Sequence, residues 1–145
     1  MRFGWPDAVF ALPAREQTAG SWLNEEDPRS AAMMEVPGAG SFVRALLPVR
    51  LTEGFSVTFG VWLRVSEDDL RATFDLFWSP EYSRFHLNGH LANAIKPWDV
   101  LGAPVQAKVH DPDALPECTG SDHHALHQMM TQEWPHAGVL AAHFG

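Results

Sequence analysis

Ser41-Phe42-Val43-Arg44-Ala45-Leu46-Leu47-Pro48-Val49-Arg50-Leu51-Thr52-Glu53-Gly54-Phe55-Ser56-Val57-Thr58-Phe59-Gly60-Val61-Trp62-Leu63-Arg64-Val65 is the most strongly patterned stretch of the chain. It reads as two long strands, 41–51 and 55–65, joined by Thr52-Glu53-Gly54. A three-residue loop with Gly last suits a type I turn closed by a G1 bulge, because Gly accepts the left-handed conformation. With Leu51 opposite Phe55, one face of the ribbon carries Val43–Leu63, Ala45–Val61, Leu47–Phe59, Val49–Val57 and Leu51–Phe55, all apolar. The other face carries Phe42–Arg64, Arg44–Trp62, Leu46–Gly60, Pro48–Thr58 and Arg50–Ser56. A slip of one residue would destroy this sorting, so the pattern fixes the register. Pro48 cannot donate to a ladder and marks a sheet edge or a bulge.

Downstream, Ser66 precedes Glu67-Asp68-Asp69 and reads as the N-cap of a helix with its acids at the positive end. Leu70, Phe74 and Phe77 recur at helical spacing, and Ser79-Pro80 stops the helix. Residues 85–95 read as another strand, or as an irregular strand with a turn at Asn88-Gly89, and Lys96-Pro97-Trp98 as a turn. Residues 104–110 form a strand with Val105, Ala107 and Val109 on one side. Asp111-Pro112-Asp113 turns the chain before a short strand at 115–118. Asp122 is the expected N-cap of a helix from His123 to about Thr131, broken by Trp134-Pro135 and followed by a short C-terminal helix. Residues 1–40 are an irregular segment packed on the rest, with an apolar element at 6–13 and a turn at Asp27-Pro28. The expectation is a single α+β domain over residues 1–145, an antiparallel sheet of about four or five strands with helices packed on one face.

The stretches 42–49 (Phe42 to Val49), 59–66 (Phe59 to Ser66), Asn88-Gly89-His90-Leu91-Ala92-Asn93 and Asp122-His123-His124-Ala125-Leu126 follow one another in an order that resembles the bacterial family DUF2199. The Gly60-Val61-Trp62 segment after the Arg-containing strand is the most specific of them. The resemblance covers roughly residues 5 to 140 and implies a fold rather than a reaction. Many members begin with a Cys-pair segment that looks zinc-binding, which this chain lacks. The family pattern also has Pro where this chain has His124.

Composition narrows the function. At 145 residues, 46% apolar and 19% charged, the chain has the makings of a packed core. A net charge of −8, from ten basic and 18 acidic residues, argues against nucleic acid, whose phosphates need clustered Lys and Arg. No uncharged run approaches the roughly 18 residues of a membrane span, and no signal-peptide core fits, so a cytoplasmic protein is expected. The lone Cys118 excludes an internal disulfide and a Cys-pair zinc site.

Eight histidines stand out. His123 and His127 are one helical turn apart and could share a metal if a third ligand arrived from Glu133, Asp111 or Cys118. Without a fuller motif the plainer reading is exposed imidazoles at a helix start, so neither a metal nor a cofactor is expected. Acid–base chemistry could pair Asp122 with His123 or His124, or Asp99 with His90. Arg44 and Trp62 are expected cross-strand neighbours. With Phe42 and Arg64 they form the candidate ligand-binding face, a guanidinium beside an aromatic wall. In the plainer alternative the Arg stem simply covers the ring. The leading reading is a small binding domain that holds an aromatic or carboxylate-bearing small molecule, or a protein partner, on the Arg44/Trp62 face. An acidic domain of this size could neutralise a basic partner. The rival reading is a small tailoring enzyme working on an apolar substrate with His90, His123, His127 and Asp122 as candidate proton-transfer groups.

Overall fold

The structure, a computed structural model, describes residues 3–10, 12, 21–25 and 31–144. In chain order the elements are α1 (Asp7–Phe10), β1 (Trp22–Leu23), β2 (Met33–Val36), β3 (Gly40–Arg50), β4 (Ser56–Val65), α2 (Glu67–Leu76), β5 (His86–Leu91), β6 (Pro104–Lys108), β7 (Glu117–Gly120), α3 (His124–Thr131) and α4 (His136–Phe144). The expected turn at Asp27-Pro28 lies outside the described residues.

The β3–β4 hairpin has the register that the alternation fixes. Val43 faces Leu63, Ala45 faces Val61, Leu47 faces Phe59 and Val49 faces Val57, with Arg44 opposite Trp62 on the reverse face. At the turn, Gly54 takes φ +77° and Glu53 also enters the left-handed region at φ +62°. Leu51 N–H donates to Phe55 O at 2.8 Å, closing the last pair. Phe55 itself departs from the expected apolar face: it is exposed and stacks on His136 at the start of α4, centroids 4.8 Å apart.

The sheet is closed rather than open. Its strands run β1-β2-β3-β4-β5-β6-β7, and β7 returns to β3 in parallel at Leu46↔Glu117. Strands β3 to β7 therefore make a five-stranded barrel, with β1 and β2 as an extension. β3 is long enough to serve both neighbours on one edge. Its first half pairs with β2, from Val43↔Met33 to Gly40↔Val36. Farther along, Arg44 N–H donates to Ala32 O and Leu46 N–H to Pro116 O, both at 2.8 Å. The next position with its nitrogen toward that edge is Pro48, which has no N–H, and the pairing ends there.

The interior of the barrel is the main core. The inward residues of the hairpin join Leu87, Leu91, Val105, Ala107 and Cys118 from the later strands. Leu70 of α2, Leu126 and Met129 of α3 and Val139 of α4 enter the same cluster, so the helices seal the space that the strands enclose. A barrel of this small size is filled by side chains. One local expectation changes: Phe74 of α2 turns outward and only Leu70 and Thr73 of that helix are buried. Of the two readings of residues 85–95, the plain strand holds, and β5 runs straight through Asn88-Gly89. A Cβ on Gly89 would lie 2.9 Å from Arg64 O and 3.1 Å from Leu63 Cβ. The glycine answers a close approach between β4 and β5, which is why it sits inside a strand.

Candidate functional site

The sorting of β3 and β4 puts Phe42, Arg44, Trp62 and Arg64 on the outer wall of the barrel. The open recognition face expected there is closed over Phe42, Arg44 and Trp62. All three have 0% exposure, and Phe42 and Trp62 belong to a second cluster with Val9, Ala31, Met34, Val36, Ala39 and Ala92. The N-terminal segment and the β2 strand cover them. A guanidinium cannot be buried without acceptors, and Arg44 finds them on the main chain. Its Nε donates to Ala31 O at 2.8 Å, and Nη1 to Phe3 O at 2.8 Å and Gly60 O at 3.1 Å. Its Cζ lies 4.2 Å from the Trp62 ring centroid.

Two further side chains grip the same segment. Trp62 Nε1 donates to Gly4 O at 3.3 Å. Asn93 Nδ2 donates to Trp5 O at 2.9 Å, while its Oδ1 accepts from Trp62 N at 2.8 Å. Arg44, Trp62 and Asn93 thus hold the carbonyls of three consecutive residues, 3, 4 and 5. The pair is a clamp for the N-terminal segment and offers no open surface. Nothing in the sequence pattern marks which segment covers this face, because residues 3–5 satisfy it through backbone oxygens.

Arg64, the fourth candidate, lies beyond the clamp on an open groove of about 900 Å³. β4, β5, α1, the first turn of α2 and the 101–102 turn form its walls. Arg64 and His90 are cross-strand partners on the floor. Leu101 contributes the most exposed apolar surface, with Val65, Leu91 and Ala92 beside it and Phe42 beneath. Gly40 leaves room for the Arg64 guanidinium, since a Cβ there would stand 3.1 Å from Arg64 Nε. Two carboxylates border the groove. That of Asp7 is committed: Oδ1 accepts from Asn93 Nδ2 at 3.3 Å and Oδ2 from Ala94 N at 2.9 Å. Asp69 sits on the first turn of α2, where its N–H is capped by Ser66 Oγ at 3.0 Å. Among the described residues, neither Arg64 nor His90 has a side-chain hydrogen bond or ion pair. Asp7, Leu101 and Gly102 carried no signal of a site in the sequence, and Asp69 only that of a helix start; Asp7 N–H donating to Ala92 O and Gly102 N–H to Leu91 O, both at 2.8 Å, set α1 and the 101–102 turn beside His90.

The remaining histidine candidates do not converge. His123, not Asp122, caps α3: its Nδ1 accepts from Leu126 N at 3.4 Å. His127 is exposed beside a separate depression of about 370 Å³ that also reaches Cys118. Asp122 and His90 border a third depression of about 210 Å³, with Asn88, Gln106 and Ser121. Among the described residues no three His, Cys, Asp or Glu side chains stand together as a metal set. The one described ion pair of a histidine is elsewhere, His136 Nε2 to Glu53 Oε2 at 3.7 Å. Cys118 is buried in the main core, and burial pushes its thiol up to about 12, a poor setting for a nucleophile.

Among the described residues, no helix is long and apolar enough to cross a membrane. No curated protein and no solved structure matches the chain. A family model does: the one described as an uncharacterized protein conserved in bacteria matches residues 1–133, and the chain belongs to that family, DUF2199.

Proposed function

We propose that this chain is a small-molecule binding domain, and that it holds an apolar ligand bearing a carboxylate in the groove over β4 and β5. The observation that carries this reading is the Arg64–His90 pair, neighbours across two strands in a groove of about 900 Å³, with no described side-chain partner for either. That volume is at the upper end of ligand sites, which run to about 1,000 Å³. A guanidinium presents a planar fork that matches a carboxylate in two parallel hydrogen bonds. Leu101, Ala92 and Val65 then receive the apolar body, which suits an aromatic or short aliphatic acid. The free thiol of Cys118 suits a cytoplasmic setting.

A thermal-shift series tests the reading. Benzoate, phenylacetate, indole-3-acetate and octanoate are each compared with their neutral amides. A ligand at 100 times its Kd adds about 2.7 kcal/mol to stability, a shift of several degrees at this chain length. The expected result is stabilisation by at least one acid, none by its amide, and loss of the effect in Arg64→Gln. Equal stabilisation by acid and amide, an unchanged effect in Arg64→Gln, or no stabilisation by any acid overturns it.

A further inference from the structure

At β1 and the C-terminal end of α2 lies a patch the groove does not involve. Trp22, Phe74 and Trp78 are 41%, 52% and 88% exposed, three large rings displayed in one region. They are not scattered. Trp22 packs edge-on against Phe74, centroids 5.5 Å apart, and Trp78 packs edge-on against Phe77 at 4.8 Å. Phe74 lies in the last turn of α2 and Trp78 in the turn that follows it. Beside them runs a trench of about 700 Å³ lined by Trp78, Pro80, Leu115 and Asn24. Among the described residues, Glu25 and Asp113 border the trench, and no Lys or Arg does.

We infer that this face docks an extended segment of a partner protein that carries Arg or Lys side chains. The exposed indole of Trp78 offers a π face to a cation, and the two carboxylates offer it a counter-charge. Edge-on aromatic pairs beside a trench suit an extended backbone, which exposes side chains to both sides. The chain's acidic balance, 18 acids against ten bases, steers a basic partner and repels a second copy of itself. The inference is independent of the ligand groove.

The test uses the full chain, a synthetic peptide of alternating Pro and Arg, and the same peptide with Glu for Arg, measured by calorimetric titration. The Arg peptide is expected to bind and the Glu peptide not. Trp78→Ala, a change at an exposed site outside both cores, weakens binding by about tenfold or more. The double variant Glu25→Lys with Asp113→Lys weakens it as well. Arg64→Gln leaves it unchanged. Absence of binding by the Arg peptide, equal binding of both peptides, or full binding by Trp78→Ala overturns the inference. So does a dimer that Trp78→Ala dissociates, or adsorption to anionic vesicles that outcompetes the peptide.

Discussion

Arg44 shows how much one buried cation can organise. It was legible as the neighbour of Trp62, and the stacking at 4.2 Å follows from the register. What alternation could not tell is whether the outer face meets water, because the cover consists of main-chain oxygens from residues without periodicity. Removing the side chain strands the carbonyls of Ala31, Phe3 and Gly60. Each buried acceptor left unpaired costs about 1–3 kcal/mol. Arg44→Leu is therefore expected to lose at least about 2 kcal/mol in urea unfolding, and Arg44→Lys also loses stability, because one ammonium cannot reproduce the fork. A change within about 0.5 kcal/mol, the size of an ordinary surface substitution, contradicts the clamp. A second residue-scale expectation concerns alkaline pH. Burial raises both Cys118 and Tyr82 to about 12 from ordinary values of 9.0 and 10.0. Between about pH 9 and 12 the folded chain keeps protons that the unfolded chain has released. Stability therefore falls as pH rises through that window and is unaffected by these groups below it. Urea midpoints across pH 8 to 12 check the sign; a rise over that window from these two groups is excluded. Cys118→Ala and Tyr82→Phe separate their shares.

Elements were legible where local rules act alone. Ser66 with its three following acids is a cap, and the structure shows the bond to Asp69 N. Ser66→Ala is expected to cost about 1 kcal/mol, read as a lower urea midpoint with the slope unchanged. A neutral result would mean that the first turn is held by its packing. The second expected cap was displaced by one residue. His123 caps α3 because Ser121 Oγ takes its N–H at 3.0 Å and turns its ring toward Leu126 N. The Asn88-Gly89 pair left the strand reading open between a plain and an interrupted one, since the dipeptide is a common turn signal; the structure has the plain strand, and the reason for this Gly is a neighbouring strand. Gly89→Ala forces a Cβ onto Arg64 O and is expected to cost about 1–3 kcal/mol, while also disturbing the floor of the groove.

At the scale of the molecule, the sequence pointed to mixed α+β structure and to one hairpin in register, but not to a closed sheet. Closure depends on Leu46 meeting Glu117 across 71 positions, and one parallel bridge leaves no pattern in either strand. The groove has a separate origin: Asp7 N–H donates to Ala92 O and Gly102 N–H to Leu91 O, both at 2.8 Å, which sets α1 and the 101–102 turn around Arg64 and His90. Two of the four residues first picked for ligand binding, Phe42 and Arg64, reach that groove; Arg44 and Trp62 hold its wall in place. The stretches that resemble the family, 42–49, 59–66 and 88–93, supply both clamp and groove floor, so one set of residues serves folding and the proposed recognition.

The most direct test is a backbone amide map of the isotope-labelled chain titrated with an aromatic carboxylate that stabilises it. The expected shifts cluster at Val65, Gly89, His90, Ala92 and Gly102 and disappear in Arg64→Gln. Shifts centred on the Cys118–His127 depression instead, or a cluster at the groove that survives unchanged in Arg64→Gln, would contradict the assignment.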